Sequence, residues 1–392
     1  MKSNYCCFFL LTCLLIVTST PLYPQLVPSA TGVPPAEKDK RESELPPLIS
    51  LQESKIVQIP TEYRFSDTQC DADGRVYAYF RPTDAKFNAV RFSLDLQPEQ
   101  VFSLPKTGEL NNYSFSEFAP SPSGGLVVVG NPNRSDMPQV LVRFDAKGRF
   151  KDAVPLRTGS RALEPERFAF FPDGTLLAVD VRRYGYVSET SKHWLAAILK
   201  DDGTVIQKLS LETSSFFSEL VDSGNSEIPT GSPSVELGTV DKRQLQLYPS
   251  SNGNVYAVVP LWRSGNRGKL RSRLAEISPS GVVTYYAFPS TGGQELLHLA
   301  VNGNRVFAVF GSDAGQGDVD SFLIDGSSHR LDLVARYTMI GPLLPSGRNG
   351  ELLPVGATLQ CATENGLIAT QPDPDPESGA NDFAIYKIPS SK

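Results

Sequence analysis

The sequence predicts an all-β chain, a six-bladed β-propeller of four-stranded antiparallel blades closed by an N-terminal strand that completes the last blade. Three observations predict it. Turn glycines recur at Gly74, Gly124, Gly174, Gly253, Gly303 and Gly366, at spacings of 50, 50, 79, 50 and 63 residues. Each follows an Asp, Ser or Asn and precedes a short β-branched and aromatic run, which is hairpin chemistry leading into a strand. A second turn, at Gly148, Gly203, Gly281 and Gly326, trails the first by 23 to 29 residues and leads into a further strand. Units of this size, each strand–hairpin–strand–loop–strand–hairpin–strand, are propeller blades.

The amino terminus stands apart from the repeat. Lys2 precedes a 13-residue apolar-dominated run, Tyr5 to Val17, and then Thr18, Ser19 and Thr20. That run is too short to span a bilayer and suits the apolar region of a secretory signal, so residues 1–19 are expected to be a signal peptide and the protein secreted or periplasmic. Residues 20–53 follow as a flexible linker, because Pro21 to Ser50 hold seven prolines and the charged run EKDKRES. The propeller is expected over 54–392, with an insertion at 212–242 between the third and fourth units.

Closure is written at the two ends of that span. SKIVQIP, Ser54 to Pro60, matches the fourth-strand phrase yet precedes the first complete unit. The last unit, from Leu359 to Pro389, offers three strand-like runs and then the chain ends. Pairing the two hides a sheet edge. Phe118 and Phe168 then occupy equivalent innermost strands. Ala78, Val128, Ala178, Ala257, Ala308 and Ala369 occupy equivalent second strands, where small side chains suit the close approach of neighbouring sheets. Of five cysteines, Cys6, Cys7 and Cys13 fall in the signal, which leaves Cys70 and Cys361. Both end innermost strands, of the first and sixth units, and an exported chain permits a disulfide between them across the closure. Relative to their turn glycines the two are offset by one residue.

At RFAFFPDGTLLAVDVRR, Arg167 to Arg183, the chain resembles the NHL-type and gluconolactonase-like six-bladed propellers, and the resemblance extends over roughly Ser54 to Ile388. In the calcium-dependent lactonases it implies a metal site built from a Glu, Asn residues and the Asp that closes the phrase, which makes Asp180 the candidate ligand and calcium the one cofactor to consider. Glu166-Arg167 stands where that group has Asn-Gly, and the first unit ends in Tyr79-Phe80 without an Asp. A hard cation needs several converging oxygens. No catalytic residue is assigned, and no phosphate loop or nucleophile elbow is present.

A net charge of −6 and the lack of a long basic block argue against a nucleic-acid partner. No transmembrane domain is expected, and the chain is expected to be a monomer. Binding residues are sought in two places. The loops VRRYGYVSETSKHW and PLWRSGNRGKLRSR carry Arg182, Arg183, Tyr184, Tyr186, Trp262 and Arg263, the residue types that anchor interfaces. The channel mouth draws on first-strand residues Asp67, Glu117 and Arg167, in equivalent positions, and on His298. The leading expectation is an exported binding or scaffold module that recognises a protein, glycan or small molecule through its loop face. Its competitor is a calcium-dependent lactonase-like hydrolase or lyase with its site at the channel mouth.

Overall fold

The computed structural model describes residues 45–59, 65–80, 85–105, 109–134, 137–156, 165, 167–180, 193–212, 246–261, 271–288, 295–311, 318–345, 352–372 and 381–389. The chain divides into two units, Met1–Leu45 and Pro46–Lys392. Apart from Leu45 the first lies outside the described residues, and with it the expected signal peptide. Among the described residues no helix is long and apolar enough to cross a membrane.

Among the described residues the second unit is all-β apart from one 3-10 turn at Glu109–Asn112. It opens with β1 (Leu48–Leu51) and β2 (Glu53–Val57). Antiparallel meanders follow: β3 (Phe65–Cys70), β4 (Val76–Phe80), β5 (Ala85–Phe92) and β6 (Pro98–Pro105), then β7 (Tyr113–Pro120), β8 (Leu126–Pro132), β9 (Val140–Phe144) and β10 (Phe150–Pro155). The third has β11 (Arg167–Phe170), β12 (Leu176–Asp180), β13 (His193–Leu199) and β14 (Val205–Glu212). Next come β15 (Leu247–Pro249), β16 (Val255–Leu261), β17 (Arg271–Ile277) and β18 (Val283–Ala287), then β19 (Glu295–Asn302), β20 (Arg305–Gly311), β21 (Val319–Asp325) and the long β22 (Arg330–Pro345). The chain finishes with β23 (Leu352–Gly356), β24 (Thr358–Ala362), β25 (Gly366–Pro372) and β26 (Asn381–Lys387).

The arrangement is propeller-like. Contacts between innermost strands run from β3 to β7, β11, β15, β19 and β24, and from β24 to β3. Apolar clusters fill the faces between consecutive sheets. Tyr77 and Phe118 share one, Val129 and Phe168 the next, and Val179 and Ala257 a third. Tyr256 and Ala308 meet in a fourth, Phe307 and Ala369 in a fifth, and Ile368 and Val76 in a sixth between the last and first meanders. The six small residues are all buried, and each points to the sheet that precedes it in that order. A larger side chain there would force the sheets apart, which close packing does not tolerate. Arginines tie the outer strands together as well. Arg91 donates to the carbonyl of Gly124 at 2.6 Å, and Arg143 spans Asp152 and Asp201.

Two features differ from the sequence expectation. Strand β1 falls inside the expected linker 20–53 and pairs parallel with Arg336–Met339 of β22, so strand structure begins at Leu48 rather than near Ser54. Its LISL run is short, and the prolines before it hide it from composition. Sheet membership also departs from six separate four-stranded units. Four sheets have four strands, whereas β15–β18 and β19–β22 share a ten-stranded sheet with β1 and β23. A single pairing, Ala287 with Arg330, joins the two meanders. The 16-residue β22 is long enough to carry β1 and β23 too.

Strand β2 lies against β26, with Lys55 opposite Ile385 and Val57 opposite Phe383. Ser54 donates to the carbonyl of Ile385 at 3.0 Å, and the Lys55 ammonium reaches the carbonyl of Asp95 in the first meander at 2.7 Å. Nearby, Leu96 holds a left-handed φ of 59° where later units place Gly148, Gly203 and Gly281. The substitution is compensated by complete burial of the side chain in the cluster between the first and last meanders. Gly74 shows why these turns favour glycine. Its φ is 87°, and a Cβ there would sit 2.8 Å from the carbonyl oxygen of Ala362. Gly366 lacks the positive φ; there a Cβ would meet the Tyr386 carbonyl oxygen at 2.6 Å, so close approach is the reason.

Candidate functional site

The innermost strands are in register with one another through the small residues of their neighbours. Thr68, Phe118, Phe168, Leu247, Leu299 and Leu359 lie opposite Ala78, Val128, Ala178, Ala257, Ala308 and Ala369. One step earlier in the chain stand Asp67, Glu117, Arg167, Gln246, His298 and Thr358, all on their strands except Gln246, which immediately precedes β15. Side chains alternate along a strand, so this tier points away from the small-residue faces. The sequence expectation named four of these six. Gln246 and Thr358 were missed because nothing but register places uncharged residues at a given level.

A cavity of about 540 Å³ lies along these strands. Asp67, Arg167, Gln246 and His298 line it, together with Thr68, Gln69, Asp71, Tyr248 and Gln360. Phe168, Leu247, Ala300 and the Cys70–Cys361 pair form apolar wall. The volume is that of a small-molecule site, and the mixture of apolar wall with convergent polar groups is the usual one.

Each polar group has a distinct electrostatic setting. The Asp67 carboxylate accepts the Thr68 N–H at 2.9 Å and makes no ion pair among the described residues. Burial pushes its carboxyl above the ordinary value, and the Arg167 charge and that N–H offset the rise only in part. Arg167 is ion-paired with Glu117 from β7, so the two charges neutralise one another beside the cavity. Burial lowers the pKa of His298, which keeps the ring neutral at pH 7. Tyr248 donates to the Gln246 Oε1 at 2.9 Å, and burial holds its phenol protonated. Asp71 turns back on its own hairpin. It accepts the N–H groups of Asp73 and Arg75 at 3.0 and 2.9 Å, so it serves the turn.

Gln360 reaches the wall through a bulge. The pairing of β24 with β25 shifts between Leu359 and Cys361, which inserts Gln360 as an extra residue. Thr68 donates to its Oε1, and its Nε2 donates to Thr370 at 3.1 Å. The first and last meanders are thus linked at the cavity wall. Thr68 is polar where the other units have Phe or Leu because it faces this amide.

The remaining expected site residues are placed elsewhere or not at all. Arg182, Arg183, Tyr184, Tyr186, Trp262 and Arg263 lie outside the described residues, as do residues 213–245 of the expected insertion. The backbone of Asp180 pairs with Leu195 at the end of β12, while its side chain lies outside them. Among the described residues no group of three or more His, Cys, Asp or Glu is placed to hold a metal ion.

No protein-family model matches the chain. No curated protein matches it by sequence. Among many solved structures with a distant likeness, two serve as examples. One is the structure of U3-55K, 9% identical over 85% of this chain and 98% of that one, with a TM-score of 0.41. The other is an oxidoreductase (glucose dehydrogenase) from Thermus thermophilus, 13% identical over 85% of this chain and 99% of that one, with a TM-score of 0.40. At these values neither likeness carries an argument about activity.

Proposed function

We propose that the chain is an exported six-bladed β-propeller, closed by β2 in its last blade, that binds a small polar ligand in the central cavity. One observation carries the reading: five innermost strands contribute to a single cavity whose lining includes Asp67, Arg167 and His298. A half-buried carboxylate without an ion pair costs stability, and such groups concentrate where a ligand is to be met. The apolar start of the chain and the Cys70–Cys361 disulfide support export. Strands β12 and β16 end on the side of Arg167 and Gln246.

The test is a small-molecule panel screened by thermal shift against the mature protein and a Gln246→Trp variant. Gln246 is exposed, so the larger ring is tolerated and fills the mouth. A ligand that stabilises the wild type and not the variant supports the reading. Ligands that act equally on both proteins would place binding away from the cavity.

A further inference from the structure

The cavity reading leaves open which chemistry the ligand presents, and the tier of innermost residues answers it. Of its six members, Asp67 and Glu117 carry negative charge and Arg167 positive, while Gln246, His298 and Thr358 are neutral. The Arg167 charge is directed at Glu117. Asp67 faces the cavity with one N–H donor at 2.9 Å and no ion pair among the described residues; the Arg167 charge, also on the lining, offsets its burial only in part. Of the other titratable groups on the lining, Asp71 pairs with Arg75, Tyr248 is a protonated phenol and His298 is neutral; β24 contributes none.

We propose that the cavity takes a small organic ammonium ion, seated against the Asp67 carboxylate. This rests on the cavity being a ligand site at all. An anion would meet a carboxylate that no ion pair neutralises, beside an Arg167 already paired with Glu117, which is unfavourable in a partly desolvated space. A cation supplies the missing counter-charge. The uncharged Gln246 and His298 complete the site with hydrogen-bonding groups that add no competing positive charge.

The experiment uses choline, whose charge does not change with pH, beside sorbitol and malonate as uncharged and anionic probes, in calorimetric titrations of the mature protein. Choline should bind in preference to the other two. Asp67→Asn should weaken it by about tenfold or more, the loss expected for one charge-assisted contact. In the wild type, affinity should fall about tenfold per pH unit once the pH is below the Asp67 pKa, because protonation removes the counter-charge. Choline that fails to bind, or that binds Asp67→Asn as tightly with no pH dependence, overturns the proposal. Sorbitol or malonate binding that is lost in Gln246→Trp would overturn the cation while leaving the cavity reading intact. Binding of every probe unaffected by Gln246→Trp would remove both.

Discussion

Cys70 and Cys361 are joined across the first and last meanders, 291 residues apart in sequence and with Cα atoms 6.0 Å apart. Their one-residue offset is what makes the bridge geometrically possible. Sheets related by rotation present equivalent residues in the same rotational sense, so equivalent cysteines on neighbours would not face one another. Cys70 lies opposite Val76, on the face turned to the last meander. Cys361, displaced by the Gln360 bulge, lies opposite Ile368, on the face turned to the first. The offset therefore aims the two Cβ vectors together rather than apart. Thiol titration of the denatured, unreduced mature protein should find no free thiol. Cys70→Ala with Cys361→Ala should lower stability by about 5 kcal/mol at most, since a loop this long loses much unfolded-state entropy on cross-linking.

Truncation separates the two N-terminal strands. Removing residues 1–45 should leave the melting temperature unchanged, because no described strand is lost. Removing 1–52 takes away β1 and should lower it modestly. Removing 1–60 also deletes β2, which exposes the edge of β26 and removes the Lys55 contact to Asp95, and should cost most. Equal melting temperatures for the last two variants would show that the β2–β26 pairing contributes nothing.

Leu96 combines a strained backbone with a buried side chain, and the two effects can be measured apart. Leu96→Ala keeps the left-handed strain of about 1 kcal/mol and loses roughly 2 to 5 kcal/mol of core packing. Leu96→Gly loses the same packing and relieves the strain. Chemical denaturation should therefore rank the glycine variant above the alanine one, the reverse of the order in an ordinary strand.

The Asp67 carboxyl titrates above its ordinary value of 3.8 because burial opposes its charge. The native state keeps that proton to higher pH than the unfolded chain does. Its contribution to stability is complete below 3.8 and is lost as the pH rises through the raised value. Asp67→Asn never ionises. It should match the wild type in acid and melt at a higher temperature than the wild type at pH 7. A constant gap across that range would mean that the carboxylate carries no burial cost.

Much of the architecture is local chemistry repeated, and for that reason the sequence by itself determined it. Asp, Ser or Asn before Gly at Gly74, Gly124, Gly174, Gly253 and Gly303 specifies a tight turn wherever it occurs, and the residues after it have little choice but to be strands. The level of Asp67, Glu117 and Arg167 on their strands follows from the same turns, which is how three charges fifty residues apart could be aligned. Tertiary structure alone decided the rest. That β1 pairs with β22 depends on an edge that exists only once β22 has formed. That Gln246 and Thr358 share a tier with those charges is a matter of register, which uncharged side chains do not advertise. The ion pair of Arg167 with Glu117 leaves Asp67 without one, and charge content along the chain cannot say which of two carboxylates one guanidinium will meet. Distance between strands settles that, because Coulomb attraction and desolvation both depend on where the folded backbone holds each charge.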